Sequence, residues 1–256
     1  MVFPIADDNT GRRSTPFVTY ILIAINVAVY FLFQATDESF TYKFSAVPAE
    51  IVQGKDLTTD AREIEHPVTN QKFRVPGLEP TPVPVYFTLI TSMFMHGGIA
   101  HLLGNMLFLW IFGDNVEDDM GRLRYVIFYL VCGIIASLSH VFMNAWGDNA
   151  LIPSLGASGA ISGVLGAYLV LHPHRRVTVI MFRFLTTVPG YVAVGLWFLF
   201  QIISSLGVLG SGSAEGGVAY AAHIGGFIAG LVLAKPFTIG RSISGPAEER
   251  SFFNRR

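Results

Sequence analysis

The chain has 256 residues, of which 52% are hydrophobic and only 14% charged, and its formal net charge at pH 7 is -1. A soluble domain usually carries about 25% charged residues, so long apolar runs with this deficit predict an integral membrane protein in contact with the lipid bilayer. The balanced charge gives no reason to expect a nucleic-acid partner. A single cysteine, Cys132, excludes an intrachain disulfide framework and a cysteine-cluster metal site.

Six apolar runs succeed one another, and each predicts a helix. A bilayer core takes about 20 helical residues at 1.5 Å each, so the fourth run is short for a full crossing. A stretch at 177–182 is expected to lead into the fifth. The runs extend over Phe17–Phe33, Leu89–Phe112, Tyr125–Met143, Ala157–Leu171, Val188–Leu209 and Val218–Ala234.

These runs predict an all-α membrane protein, a six-transmembrane-helix bundle with a large first outer loop. The predicted organisation is a short tail at 1–16, a membrane domain at 17–235 with the outer loop at about 35–86, and a second tail at 236–256. Alternating the helices from a cytoplasmic N-terminus puts twelve of the 17 Lys and Arg residues on the cytoplasmic side and five in the outer loop. Cytoplasmic loops are enriched in these residues, so both termini are predicted to be cytoplasmic.

The two other outer loops agree with this orientation. They lie near Asp148 and near Glu215, and neither contains Lys or Arg. The chain also lacks an Arg-rich, acid-poor leader, which favours a bacterial inner membrane over an organelle.

Two polar side chains inside apolar runs point to chemistry. Ser158 lies between Gly156 and Gly159 at the start of the fourth predicted helix, and His223 precedes Gly226 in the sixth. Polar groups at membrane depth cost free energy and therefore need a reason to be there. A serine and a histidine are sufficient to provide a nucleophile and its general base. In the predicted topology both lie in the outer half of the membrane, where water would reach them from outside.

The second predicted helix adds possible hydrogen-bond donors. His101 and Asn105 are four residues apart and therefore share one helix face. With the free backbone N–H groups expected at the helix start near Ser158, they form a plausible oxyanion hole. His96 lies five residues before His101, and the glycines between them leave its direction open.

Other catalytic classes fit less well. A zinc protease motif needs two histidines at i and i+4 with a glutamate between them, and His96 and His101 are five apart without one. No pair of intramembrane aspartates is present, and Glu215, eight residues before His223, lies in a loop. The sequence therefore predicts a Ser–His dyad with no metal and no cofactor.

Taken in order, three motifs resemble the rhomboid intramembrane serine proteases over about residues 17–234. They are His96-x4-His101-x3-Asn105, Gly156-x-Ser158-Gly159 and Ala222-His223-x2-Gly226. The resemblance implies a six-helix bundle that cleaves single-span or other membrane-anchored proteins without a cofactor. It implies that Ser158 is the nucleophile, His223 the base, His101 and Asn105 the oxyanion donors, and His96 a support.

One position departs from the family. Its members often carry a tyrosine four residues after the nucleophile, stacked on the catalytic histidine, and here that residue is Ser162. Tyr220 or another side chain is expected to pack on His223 instead, unless the base is held differently.

Alternatives to a protease remain open. Gly156, Gly159 and Gly226 also fit simple close packing of membrane helices. A catalytically silent relative would bind transmembrane helices without cutting them, and a small-solute transporter would require a repeat symmetry that the chain lacks. No pattern in the sequence specifies an oligomeric state.

Overall fold

Helices dominate the fold of this chain. A computed structural model describes residues 2–65, 72–146, 148–181, 183–205 and 220–244. In this part of the chain, four helical segments are long and apolar enough to cross a membrane, as expected of an integral membrane protein. They are Phe17–Gln34, Ile99–Met120, Arg122–Asn144 and Tyr220–Thr238.

The elements alternate between long membrane helices and short connecting pieces. A π-helical turn, Tyr30–Gln34, extends the first helix. The helices are α1 (Phe17–Val29), α2 (Glu38–Phe44), α3 (Pro48–Gln53), α4 (Thr88–Thr91), α5 (Ile99–Met120), α6 (Arg122–Asn144), α7 (Ser158–Leu171), α8 (Gly190–Ser205) and α9 (Tyr220–Thr238). The strands are β1 (Val2–Asp7), β2 (Arg62–Glu65), β3 (Lys72–Val75), β4 (Arg176–Met181) and β5 (Phe184–Pro189).

Predicted helices one, three, four and six correspond to α1, α6, α7 and α9. The second run does not form one helix, contrary to the prediction. A short helical stretch ends at Phe94, Met95 is extended, and α5 begins only at Ile99, after a glycine pair that has little helix propensity. Parts of the fifth and sixth runs, the loop near Glu215 and the tail beyond 244 lie outside the described residues.

A three-stranded antiparallel sheet corrects the predicted all-α class. Its order is β1–β4–β5, and β4 takes up residues 177–181 of the stretch that was expected to lead into a helix. Val177 and Val179 are fully buried on one face of β4, so these β-branched residues follow the period of a strand. Pro4 is tolerated because β1 is an edge strand, and a register shift follows it.

The sheet lies at one end of the bundle, next to where α5 and α7 end. We call this the sheet end, and the opposite end, where α7 begins, the serine end. At the sheet end Glu117 of α5 accepts hydrogen bonds from the N–H groups of Val18 and Thr19 at 2.9 and 2.7 Å. A carboxylate at a helix N-terminus satisfies orphan N–H groups and the helix dipole, so it fixes α1 against α5.

The segment at 35–86 is an excursion whose described part contacts the serine end. It contains α2, α3 and the β2–β3 hairpin, and Asp37 caps α2 by accepting from Ser39 N–H at 2.9 Å. Ala46 pairs with Ser154 through two backbone hydrogen bonds of 3.0 and 2.8 Å. These hydrogen bonds attach the excursion to the connection that leads into α7.

The core is built around α7, which packs most closely against α9. A Cβ placed on Gly226 would lie 2.1 Å from the carbonyl oxygen of Gly159, and one on Gly230 would lie 2.0 Å from that of Gly163. Only glycine allows this separation, so each of these positions brings the two backbones together. This close approach sets the distance between the start of α7 and the start of the described part of α9.

Candidate active site

Ser158 and His223 meet at the serine end of the bundle. Ser158 is the first residue of α7, and His223 is the fourth residue of α9 as described. Ser158 Oγ lies 2.8 Å from His223 Nε2, which is hydrogen-bond distance. The two residues that sequence reasoning paired are therefore in contact, with the geometry that a nucleophile and its base require.

The backbone before Ser158 depends on Gly156. Its φ is +119°, a conformation that side-chain-bearing residues rarely adopt, and its N–H donates to Ser92 O at 2.8 Å. A Cβ there would lie 2.9 Å from Cε1 of His101. Gly156 thus lets the His101 ring lie against the turn that leads into Ser158.

Gln201 of α8 is a member of the site that sequence reasoning missed. Its Oε1 lies 2.7 Å from His223 Nδ1. An amide oxygen only accepts, so Nδ1 carries the proton and Nε2 is left to accept from Ser158 Oγ–H. The available signal was a polar residue within an apolar run, but an amide is a less familiar third partner of a serine–histidine pair than an acid.

Two aromatic rings flank His223 where the family often has a stacked tyrosine. Trp197 lies with its ring centroid 6.1 Å from that of His223 at 40°, and Tyr220 lies at 6.4 Å, edge-on. Ser162 is fully buried and donates to the carbonyl oxygen of Ser158 at 2.6 Å. The histidine is thus packed from α8 and from its own helix, while Ser162 bonds within α7.

A cavity of about 190 Å³ opens beside the serine and histidine. Its polar lining comes from Ser158, His223, Gln201, His101 and Asn105. His101 Nδ1 accepts a long bond of 3.4 Å from Gly97 N–H, which leaves Nε2 as the donor. Asn105 is buried, and its Nδ2 has no hydrogen-bond partner among the described residues. Buried donors normally have a partner, so this one is suited to bind an acceptor on a ligand.

His96 lies behind His101 rather than in the cavity. The side-chain amide of Gln34 makes two hydrogen bonds with the backbone of His96. It donates to His96 O and accepts from His96 N–H, both at 3.0 Å. The His96 ring is buried and lies edge-on to that of His101, with centroids 5.2 Å apart. It packs against one predicted donor without reaching the serine.

No cluster of three His, Cys, Asp or Glu side chains able to hold a metal ion occurs within the described residues. The acidic residues of α5, such as Glu117 and Asp118, bind groups of the N-terminal segment at the sheet end. Ser158 begins α7 at the opposite end. The polar side chains that line the cavity beside the serine are thus histidine, asparagine, glutamine and serine, with no carboxylate among them.

The fold and site define a class, a helical membrane protein with a serine–histidine pair held between two closely packed helices. The family model of the rhomboid domain matches residues 84–239, more than half of the chain. The chain therefore belongs to the rhomboid family.

Curated relatives include bacterial and mitochondrial proteins. Rhomboid protein 1, mitochondrial, of Saccharomyces cerevisiae is 34% identical over 57% of this chain and 40% of its own length. Rhomboid protease GluP of Bacillus subtilis is 29% identical over 87% of this chain and 35% of its own. Human presenilin-associated rhomboid-like protein, mitochondrial, is 33% identical over 46% and 34%. The chain thus spans about a third to two fifths of the length of these relatives.

Proposed function

We propose that this chain is an intramembrane serine endopeptidase that cleaves membrane-anchored proteins in or near a transmembrane segment. The observation that carries the proposal is the 2.8 Å contact between Ser158 Oγ and His223 Nε2 beside an open cavity. Membership of a family that includes a relative named as a protease supports it.

In the proposed reaction, His223 Nε2 takes the proton of Ser158 as Oγ attacks the scissile carbonyl carbon. The tetrahedral intermediate then collapses, His223 returns the proton to the leaving amine, and the acyl-enzyme remains. A water activated in the same way by His223 attacks the ester and releases Ser158. Every proton passes through one imidazole, so no metal or cofactor is required.

The oxyanion of that intermediate needs donors. We assign His101 Nε2–H, Asn105 Nδ2–H and backbone N–H groups at the start of α7. The unpartnered Asn105 amide and the position of both side chains in the lining of the cavity support the assignment. Donors fixed in place before charge develops cost no reorganisation during the reaction.

The proposed membrane arrangement has α1, α5, α6, α7, α8 and α9 as six crossing helices. At 14 residues, α7 is about 21 Å long, shorter than a hydrocarbon core of about 30 Å. If its sheet end reaches one membrane surface, Ser158 lies below the other. That depth suits cleavage of a substrate helix near its outer end.

We further propose that both termini face the cytoplasm. The support is the excess of Lys and Arg on that side of the six-helix arrangement. Because the relatives include mitochondrial proteins beside one from Bacillus, the bacterial inner membrane stays a prediction.

A second, much smaller cavity lies on the other side of Ser158, between α6 and the turn before α7. It has about 10 Å³ of free space, and its lining includes Gly133, Ala136 and Ser154. A space of this size holds about one water, so it suits a small residue before the scissile bond.

The test uses purified protein in detergent and a panel of tagged single-span substrates. Wild type should cleave at least one substrate and react at Ser158 with a fluorophosphonate probe, while Ser158→Ala should do neither. Ser205→Ala, an exposed serine on α8, is the matched control and should behave like wild type. Cleavage retained by Ser158→Ala would overturn the proposal.

The same experiment decides the alternative of a catalytically silent protein that binds transmembrane helices. That protein would bind tagged substrates equally well with or without Ser158, and neither form would cut them or react with the probe.

A further inference from the structure

Helix α8 provides two contacts to the histidine ring of the site. Gln201 is 6% exposed, and its Oε1 accepts from His223 Nδ1–H at 2.7 Å. Trp197 lies four residues earlier, one turn away on the same helix, and packs against the same ring. The imidazole is thus held at Nδ1 by Gln201 and at Nε2 by Ser158.

The bond at Nδ1 determines which tautomer is present. Neutral imidazole carries its proton on either nitrogen, and only the Nδ1–H form has the free Nε2 lone pair that takes a proton from serine. Bonds to both nitrogens also fix the ring plane, so the lone pair remains directed at Oγ.

The chemistry of Gln201 differs from that of the usual acidic partner. The ionisable groups that act on His223 in the described part of the chain are two histidines, His101 of α5 and His140 of α6. A buried carboxylate at membrane depth would be costly, whereas an amide offers the same acceptor oxygen without a charge. Gln201 therefore orients the base but stabilises the imidazolium less than a charged carboxylate would.

We infer that Gln201 is the positioning residue of a Ser158–His223–Gln201 relay, selecting the Nδ1–H tautomer of the base and fixing its ring. The inference rests on the proposed protease function. Gln201 does not touch the reacting atoms in this role, and it acts only through His223.

The test compares two substitutions at this position. Gln201→Met keeps the length of the side chain and removes the acceptor, and Gln201→Glu keeps an acceptor and adds a charge. Ser204→Ala, which changes a buried polar residue on the same helix, is the matched control. Cleavage kinetics, their pH profile and the 15N spectrum of histidine-labelled protein are measured, with His223 assigned by its loss in His223→Ala.

Gln201→Met should lower kcat by about tenfold or more with KM within about twofold of wild type, because a lost hydrogen bond lets the wrong tautomer accumulate. Its spectrum should show a protonated Nε2 that wild type lacks. Gln201→Glu should recover most of the lost kcat and move the acid limb of the pH profile to higher pH, because a carboxylate favours the imidazolium. Ser204→Ala should match wild type throughout.

Three results would overturn the inference. Wild-type kcat in Gln201→Met, with Ser158→Ala inactive, would remove Gln201 from the relay and leave the protease proposal intact. A loss of kcat without a change of tautomer would reduce Gln201 to a packing role. Equal cleavage by wild type and Ser158→Ala would refute the protease proposal itself and the inference with it.

Discussion

Asn105 presents an unsatisfied amide at the cavity, and this single group leads to a prediction about rate. Asn105→Ala and His101→Ala should each lower kcat roughly a hundredfold, about 3 kcal/mol of transition-state stabilisation, with little change in KM. The reason is that an oxyanion donor acts only once charge has developed on the substrate. Steady-state cleavage kinetics in detergent provide the measurement.

The control for this prediction is Asn26→Ala. Asn26 is a fully buried asparagine of α1 whose Nδ2 donates to Leu22 O at 2.7 Å, so the variant loses a comparable group outside the cavity lining. It should keep the wild-type kcat. Unchanged kcat in both cavity variants would make α5 a scaffold only.

Residues of the site differed in how well the sequence revealed them. Ser158 and His223 could be predicted because polar groups in apolar runs are costly and these two together have a chemical use. Gln201 is just as polar, but its role depends on how α8 packs against α9. Side-chain direction across two helices is a tertiary property, and no local spacing encodes it.

Strand β1 is the element that was hardest to predict from the sequence. It has six residues, and its partner β4 lies far along the chain, so neither length nor a nearby hairpin turn marks it. The apolar helices, by contrast, have long local patterns and were found, apart from the interruption before α5. A non-local pairing of short strands has no comparable local signature.

Asp7, at the end of β1, attaches this strand to the bundle. Its Oδ2 accepts from Asn115 Nδ2–H at 2.7 Å and from Tyr168 O–H at 2.9 Å. Burial, and next the charge of Asp114, raise the pKa of Asp7 from 3.8 to about 7, although the Tyr168 hydrogen bond and the charges of Arg175 and His172 lower it. The docked strand therefore binds a proton at pH values where the detached strand has lost it.

The sign of the pH dependence follows from this difference. Between pH 4 and 7 the folded state holds more protons at Asp7 than the unfolded state, so its contribution to stability is present at low pH and declines as pH rises towards 7. Asp7→Asn keeps an oxygen acceptor for both donors and cannot ionise. Its Tm should therefore fall less than the wild-type Tm as pH rises from 5 to 8.

Thermal unfolding in detergent at several pH values measures this effect. At each pH the Tm of Asp7→Asn is compared with the wild-type Tm, because the contributions of the other titrating groups then cancel. Asp8→Asn is a suitable control, because Asp8 is the neighbouring carboxylate and has the opposite shift, a lowered pKa. Parallel Tm profiles for wild type and Asp7→Asn would contradict the assignment of the proton to Asp7.

For the whole molecule, the testable property is the orientation of the helix bundle in the membrane. Asn149 at the serine end and His174 at the sheet end are both exposed, whereas Cys132 is fully buried. In a Cys132→Ala background, Asn149→Cys should react with a membrane-impermeant maleimide in intact cells. His174→Cys should react only after permeabilisation, since the charge bias places the sheet end in the cytoplasm.

Labelling of His174→Cys but not Asn149→Cys in intact cells would reverse the orientation, and the cavity beside Ser158 would then open to the cytoplasm. Both variants should retain cleavage activity, which checks that each still folds, because neither side chain lines the cavity.

The pairing of β1 with β4 also imposes an order on biosynthesis. Residues 2–7 leave the ribosome long before their partners, residues 177–181, which are made after four of the six apolar runs and before the last two. At about 5–20 residues per second, that interval is on the order of ten to thirty seconds. Strand β1 is thus synthesised well before β4, and this sheet can form only after four of the six apolar runs have been made.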